Sequence, residues 1–176
     1  DIIINNEDMD LSYLKEKNVF TIDLKGLSDD LTARYPDYRL IRVIRYLPNC
    51  IAVDFKKRKA KALVKLYRYF VVDEEGVLFN PEDKDFKQGL PIILGLQTKI
   101  FGPKSGEKFD IKELRLALDL IKETDNKKEL RDYKIKKIDA TNSINLSFFI
   151  LEDIEVKIGG DIKDKLRIFI SLLPHI

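Results

Sequence analysis

Cys50 and His175 are the only cysteine and the only histidine in the chain. A thiolate nucleophile needs a neighbouring base, a cation or a helix N-terminus to lower its pKa, and none stands near Cys50 in the sequence. Cys50 follows a turn signal and opens an extended run, so it reads as a small strand residue. His175 lies beside Pro174 and reads as a solvated residue, not a general base. One cysteine forms no internal disulfide, and together the two residues fall short of a zinc ligand set.

The acidic and glycine-rich loops also lack the spacing that ligand binding needs. Asp73-Glu74-Glu75-Gly76 lacks the alternating ligand spacing of a calcium loop and reads as a tight turn. Asn80, Glu82, Asp83 and Asp85 form an acidic stretch without the glycine and distal glutamate such a loop requires. Gly102-Pro103-Lys104-Ser105-Gly106 sets Lys-Ser beside glycines, but not in the order a phosphate loop needs between strand and helix. The expectation is a protein without catalytic, cofactor-binding or metal-binding residues, and without a small-molecule substrate.

Two features suit binding better than catalysis. Lys56-Lys57-Arg58-Lys59, with Lys61 and Lys65, could face an anionic lipid surface or an acidic partner, or could simply keep a strand end soluble. Arg42, Arg45 and Tyr46 decorate the strand before it. A strand edge carrying charged and aromatic side chains can recruit another chain by strand addition, although a partly solvated sheet face has the same composition.

The 176 residues carry 32 Lys and Arg against 30 Asp and Glu, a net charge of +2, which does not mark a general nucleic-acid binder. With 44% hydrophobic and 35% charged residues the chain is a folded one, long enough for one full core or two small ones. No run approaches the ~18 apolar residues of a membrane helix. The chain has no initiator methionine and starts directly on an extended run, so it reads as a piece of a longer protein. Cysteine poverty suits the cytoplasm and an extracytoplasmic protein equally.

The elements that must position these residues follow from periodicity. Ile2–Ile4 reads as a short strand and Glu7–Lys17 as a helix. Asn18–Ile22 reads as an extended link. Asp23 caps a helix to about Tyr35, with Leu24, Leu27 and Leu31 on one face and Pro36 as the stop. Strands are expected over Tyr38–Tyr46, Cys50–Lys56 and Ala60–Leu66, with a Leu47-Pro48-Asn49 turn after the first. Tyr69–Val72 and Val77–Phe79 form a hairpin closed at Gly76. A polar loop over Asn80–Gly89 leads to the apolar run Leu90–Leu96. Asp110 caps a strongly amphipathic helix. Three antiparallel strands follow over Tyr133–Asp139, Ile144–Ile150 and Ile154–Ile158, then a last helix from Asp161 to Leu173.

Several of these motifs resemble the FtsQ/DivIB cell-division family. Asn18-Val19-Phe20-Thr21-Ile22-Asp23 before a helix, then Arg45-Tyr46-Leu47-Pro48-Asn49 between two strands, is similar to that family's POTRA domain. The Val72-Asp73-Glu74-Glu75-Gly76 hairpin and Leu90-Pro91-Ile92-Ile93-Leu94-Gly95 are similar to motifs of its second domain. The resemblance covers nearly the whole chain. It implies an α+β fold, a POTRA-like βααβββ module over residues 1–67 followed by a mixed β-rich module with two helices over 68–176. It implies a membrane helix before this part, and further strands after the last helix that carry the main docking edge for an FtsB-type partner. It also implies a non-enzymatic divisome scaffold on the outer face of the bacterial cell membrane at the septum. Such a scaffold recruits FtsB/FtsL-type bitopic proteins and links them to septal peptidoglycan synthesis. Val43 and Arg45 match the recruitment-linked strand and are the expected protein-interaction residues. The other reading is a POTRA-bearing component of outer-membrane assembly or secretion that binds client β-strands.

Overall fold

The computed structural model describes residues 2–4, 11–14, 18–48, 50–151 and 154–173. The chain divides into two compact units, Asp1–Arg58 and Lys59–Ile176.

In the first unit, β1 (Ile2–Ile4), β2 (Tyr38–Tyr46) and β3 (Cys50–Lys57) form a sheet in the order β1-β3-β2. β1 runs parallel to β3 and β2 antiparallel to it. The helix α1 spans Leu24–Arg34, and its N-cap is Asp23, whose carboxylate accepts from the Lys25 amide at 3.0 Å, as the sequence predicts. Leu27 and Leu31, four residues apart on one face, are buried with Leu11, Leu14, Tyr38, Ile51 and Val53. Each such side chain contributes about 1.5–3 kcal/mol by leaving water. Tyr38 meets Tyr35 and Phe55 edge-on at 6.4 and 6.3 Å.

Two local expectations need restating. Asn18–Ile22 is not extended throughout. Val19–Thr21 forms a single 3-10 turn, because the Asn18 side chain accepts from the Phe20 amide at 3.0 Å and offers the backbone a turn instead. Of the expected Glu7–Lys17 helix, Ser12–Leu14 is a 3-10 turn and most of the rest lies outside the described residues, as does Asn49 of the Leu47–Asn49 turn.

The second unit is built on an eight-stranded sheet. Its strands are β4 (Ala62–Lys65), β5 (Tyr69–Val72), β6 (Val77–Phe79), β7 (Ile92–Leu94), β8 (Glu107–Lys108), β9 (Ile135–Asp139), β10 (Ser147–Ile150) and β11 (Ile154–Lys157). They lie in the order β11-β10-β9-β7-β4-β5-β6-β8. Helices α3 (Lys112–Asp125) and α4 (Ile162–Leu172) cover one face. Leu114, Ala117, Leu120 and Ile121 from α3, and Leu166 and Phe169 from α4, enter one core with Val64, Phe70, Ile93, Ile138 and Phe148. Phe169 meets Phe148 edge-on at 5.6 Å. On the other face Leu63, Val71 and Phe79 form a smaller cluster. Phe86, from the short helix α2 (Asp83–Lys87), stacks edge-on against Tyr69 there at 5.9 Å.

The α+β class is the observed one. The place of one strand differs from expectation. The sequence places the run Ala60–Leu66 in a βααβββ first module ending near residue 67. Its observed core, β4, pairs antiparallel with β5 and parallel with β7, inside the second sheet. The physical reason is burial on both faces. Ala62, Leu63 and Val64 are all buried, which suits a central strand between two layers and not the edge of a one-sided three-stranded sheet.

The two family-like glycine motifs are explained by backbone geometry. Gly76 closes the β5–β6 hairpin at φ +81°, and a Cβ there would lie 2.8 Å from the Phe109 carbonyl oxygen. Gly95 has φ +86°, and a Cβ there would overlap the Thr141 backbone at its amide nitrogen. Only glycine meets both demands.

Candidate functional site

Among the described residues, the loop acids singled out by the sequence serve local structure. The Asp73 carboxylate is buried and accepts from the amides of Glu75 and Val77, both at 2.9 Å, so it shapes the hairpin. Glu82 and Asp85 close a reciprocal capping box on α2, a helix that the expected polar loop over Asn80–Gly89 left out. The acid three residues after Glu82 was its signal. In the Gly102–Gly106 loop, the Lys104 amide donates to a Glu107 carboxylate oxygen at 3.1 Å, so an acid occupies the loop. Cys50 is half-buried opposite Tyr46. His175 lies outside the described residues. Among the described residues no group of three or more His, Cys, Asp or Glu is placed to hold a metal ion, and no helix is long and apolar enough to cross a membrane.

The remaining site type is the sheet edge. Among the described residues four strands end a sheet: β1 and β2 in the first unit, β8 and β11 in the second. β1 has three residues and β8 two, both charged and exposed in β8. Longer edges are offered by β2, with nine residues, and β11, with four. In β11, Ile154 and Val156 are half-buried against the main core while Glu155 and Lys157 are exposed. That edge therefore alternates an apolar and a charged face.

Val43 and Arg45 both sit on β2. Val43 pairs with Val53 and packs against the first core. Arg45 pairs with Ile51, and its Nη2 donates to the Ile22 carbonyl oxygen at 2.6 Å. Both side chains thus point to the face covered by α1, and the strand reaches outward there through its backbone.

The opposite face of β2 and β3 carries another set. Tyr46 stands opposite Cys50, Ile44 opposite Ala52, Arg42 opposite Asp54 and Arg39 opposite Lys56. Arg42 reaches Asp54 at 3.2 Å. The register shifts between Leu40 and Arg42, a bulge that re-aims the start of the strand. The basic run beyond is dispersed. Lys57 lies over the Tyr38 ring at 5.5 Å, Arg58 donates to the Pro36 carbonyl at 3.2 Å, and Lys61 pairs with Asp125 at 3.7 Å. The sequence alone did not show that Arg39 and Lys56 meet, because the bulge decides which residues share a face.

Comparison with known proteins converges on one family. The family model described as cell division protein FtsQ/DivIB, C-terminal, matches residues 62–176. A protein named cell division protein FtsQ from Geotalea daltonii is 24% identical over 164 residues, covering 91% of this chain and 58% of the relative. One of the same name from Syntrophotalea carbinolica is 24% identical over 162 residues, covering 90% of this chain and 56% of the relative. A third, from Myxococcus fulvus, is 28% identical over 85 residues, covering 48% of this chain and 30% of the relative. The chain thus spans a little over half the length of the first two relatives.

Proposed function

The chain belongs to the FtsQ/DivIB cell-division family, and from that premise we propose that it is a non-enzymatic scaffold that recruits FtsB/FtsL-type bitopic proteins through its strand edges. Through them it links the division machinery to septal peptidoglycan synthesis. It works on the outer side of the cell membrane, held there by a membrane helix in the parent protein. The observation that carries this reading is the nine-residue edge strand β2, the longest strand that ends a sheet. Added main-chain hydrogen bonds supply affinity at such an edge, and side chains alternating between the two faces supply specificity.

Beyond the bulge, β2 keeps a regular stretch from Arg42 to Tyr46, which contains Val43 and Arg45. In this proposal the two residues hold the docking strand on its core, so that its outer edge presents a straight backbone. The β11 edge is the second place of growth, where strands following α4 in the family would extend the sheet.

A photo-crosslinking amino acid at positions 44 and 46 on β2, and at 155 and 157 on β11, tests this reading. The expected result is crosslinking to the extracytoplasmic segment of an FtsB- or FtsL-type protein from these positions and none from Asp30 on α1. Co-purification without crosslinks at either edge would reject the edge mechanism. No complex at all, with the full extracytoplasmic part present, would reject the scaffold reading.

A further inference from the structure

We propose that the sheet face of the second unit turned away from α3 and α4 pairs with the same face of a second copy of this chain, about a two-fold axis that runs along β10 over Phe149. Such a pair is additional to the scaffold reading, because it uses side chains of the face and leaves the backbone edge of β11 free for a partner.

The two faces of the eight-stranded sheet are covered differently. On the helix side Val64, Ile93, Ile138 and Phe148 are buried in the core with α3 and α4. On the other side the register sets Glu155, Phe149, Lys137, Ile92 and Leu63 directly opposite one another from strand to strand. Residues so opposed point to one face. Leu63 is buried in the smaller cluster with Val71 and Phe79. Toward β11 that cover ends: Ile92 and Phe149 are half-buried, and Lys137 and Glu155 are exposed. Among the described residues Lys137, Glu155 and Lys157 form no salt bridge, whereas Lys61, Lys99 and Lys163 of the same unit do. An aromatic ring flanked by two unspent, opposite charges is thus left on an open sheet face.

The pattern of charge points to the occupant. The next row on this face reads Lys157, Ser147 and Asp139. β11 and β9 therefore carry opposite charges in each row, and the signs alternate between the rows. A half-turn about an axis along β10 lays β11 of one copy over β9 of the other. Glu155 then faces Lys137 of the second copy and Lys157 faces its Asp139, each contact is made twice, and Phe149 meets its own counterpart at the centre. Self-complementarity of this kind is what a two-fold interface requires. Strands lie about 4.8 Å apart and facing sheets about 10 Å apart, a gap that Lys, Glu and Phe side chains from both copies fill. Asp139 also accepts from the Thr141 amide and hydroxyl, so the Glu155–Lys137 contacts carry the test. An acidic segment of another protein fits less well. It would satisfy Lys137 and oppose Glu155, which stands on the other side of Phe149 in the same row.

Sedimentation velocity of the 176-residue chain is the test. A small polar face associates weakly, so a reversible dimer is expected within about 10–500 μM, loosened by added NaCl. Lys137→Glu and Glu155→Lys should each weaken it at least about tenfold, because each creates a like-charge contact on both sides of the axis. Mixing these two variants should restore dimers, since in the heterodimer both contacts again join opposite charges. The chain carrying both substitutions should dimerise for the same reason. Lys112→Glu, an exposed position of α3 on the other side of the sheet, should change association less than about twofold. All three positions are exposed, so each variant should keep the circular dichroism and melting midpoint of the parent. A photo-crosslinking amino acid at Phe149 should give a product of twice the chain mass in the purified protein. A chain monomeric throughout this range overturns the proposal. So does a dimer that Lys137→Glu and Lys112→Glu weaken equally, or one that mixing the two variants fails to restore. A monomeric chain whose Lys137→Glu variant loses the FtsB- or FtsL-type partner also overturns it, by showing that the face meets an acidic protein. Partner crosslinking that persists in a chain unable to dimerise rejects the pairing and leaves the scaffold reading intact, and dimers in a chain that binds no partner do the reverse.

Discussion

Arg45 donates from its Nη2 to the carbonyl oxygen of Ile22 across 2.6 Å. This bond joins the edge strand β2 to the segment just before α1. The residue expected to meet a partner is therefore also a brace of its own fold. Arg45→Ala should destabilise the first unit by about 1.5–3 kcal/mol, the range for a hydrogen bond with a charged donor. Hydrogen exchange of amides 38–57 should speed up, while those of β9 and β10 stay protected. An unchanged exchange pattern would show that the bond contributes nothing. A partner-binding defect in this variant bears on docking only if that protection is retained.

Gly95 and Gly102 form a matched pair for a second measurement. Both have positive φ, +86° and +56°. A Cβ on Gly95 would run into the Thr141 backbone, whereas one on Gly102 meets nothing within 4 Å. Gly102→Ala should cost about 1–2 kcal/mol from backbone conformation alone. Gly95→Ala should cost clearly more, about 3 kcal/mol or above, because β7 must also shift from its neighbours. Urea unfolding followed by circular dichroism gives both values, and equal losses would refute the close-approach explanation.

Asp73 shows how an acid in a loop serves folding. Removing its carboxylate in Asp73→Ala leaves the amides of Glu75 and Val77 without their acceptor. The loss should be about 1–3 kcal/mol. Asp73→Asn, which keeps an acceptor oxygen, should recover part of it. Metal addition should not change the melting temperature of the parent, and a rise with calcium would restore the metal-loop reading.

Glu113 supplies a pH dependence. Its carboxylate accepts from Lys99 Nζ at 2.6 Å, and that hydrogen bond holds its pKa below the ordinary glutamate range. A lowered carboxyl pKa stabilises the fold above the unfolded value of about 4.3, and the gain is lost as pH falls through the folded value. Glu113→Gln should therefore be less stable than the parent at pH 7, by about 0.5–1 kcal/mol for a partly exposed pair. The difference should shrink toward zero below the lowered pKa. A gap independent of pH would assign the effect to packing.

Much of the second unit was legible from local pattern. Val77–Phe79 and Tyr69–Val72 are strands with the bounds the sequence suggests, and Gly76 takes the positive φ its hairpin requires. The amphipathic periods over Lys112–Asp125 and Ile162–Leu172 are helices. The caps were less legible. Asp110 is bound by Arg115 and Ile111 occupies the cap position, because a carboxylate can satisfy a nearby guanidinium as readily as a helix amide. Val43 and Arg45, the expected interaction residues, were legible only as strand positions. Nothing local to Val43 or Arg45 shows that they face α1, since that depends on a partner strand and on a bulge.

Sequence alone determined what this protein is made of: alternating strands, two strongly amphipathic helices, turn glycines, and the motifs of the FtsQ/DivIB family. These are properties of neighbours within a few residues, where period, capping and backbone sterics act. Tertiary structure alone decided which sheet each strand joins and which residues share a face. β4 became a central strand of the second sheet by lying between β5 and β7, and β7 entered parallel between β4 and β9. Likewise Arg39 came to stand opposite Lys56 only through the β2–β3 register. Pairing of this kind is set by burial against distant segments and by long-range hydrogen bonds, and a single residue of slip would reverse every face.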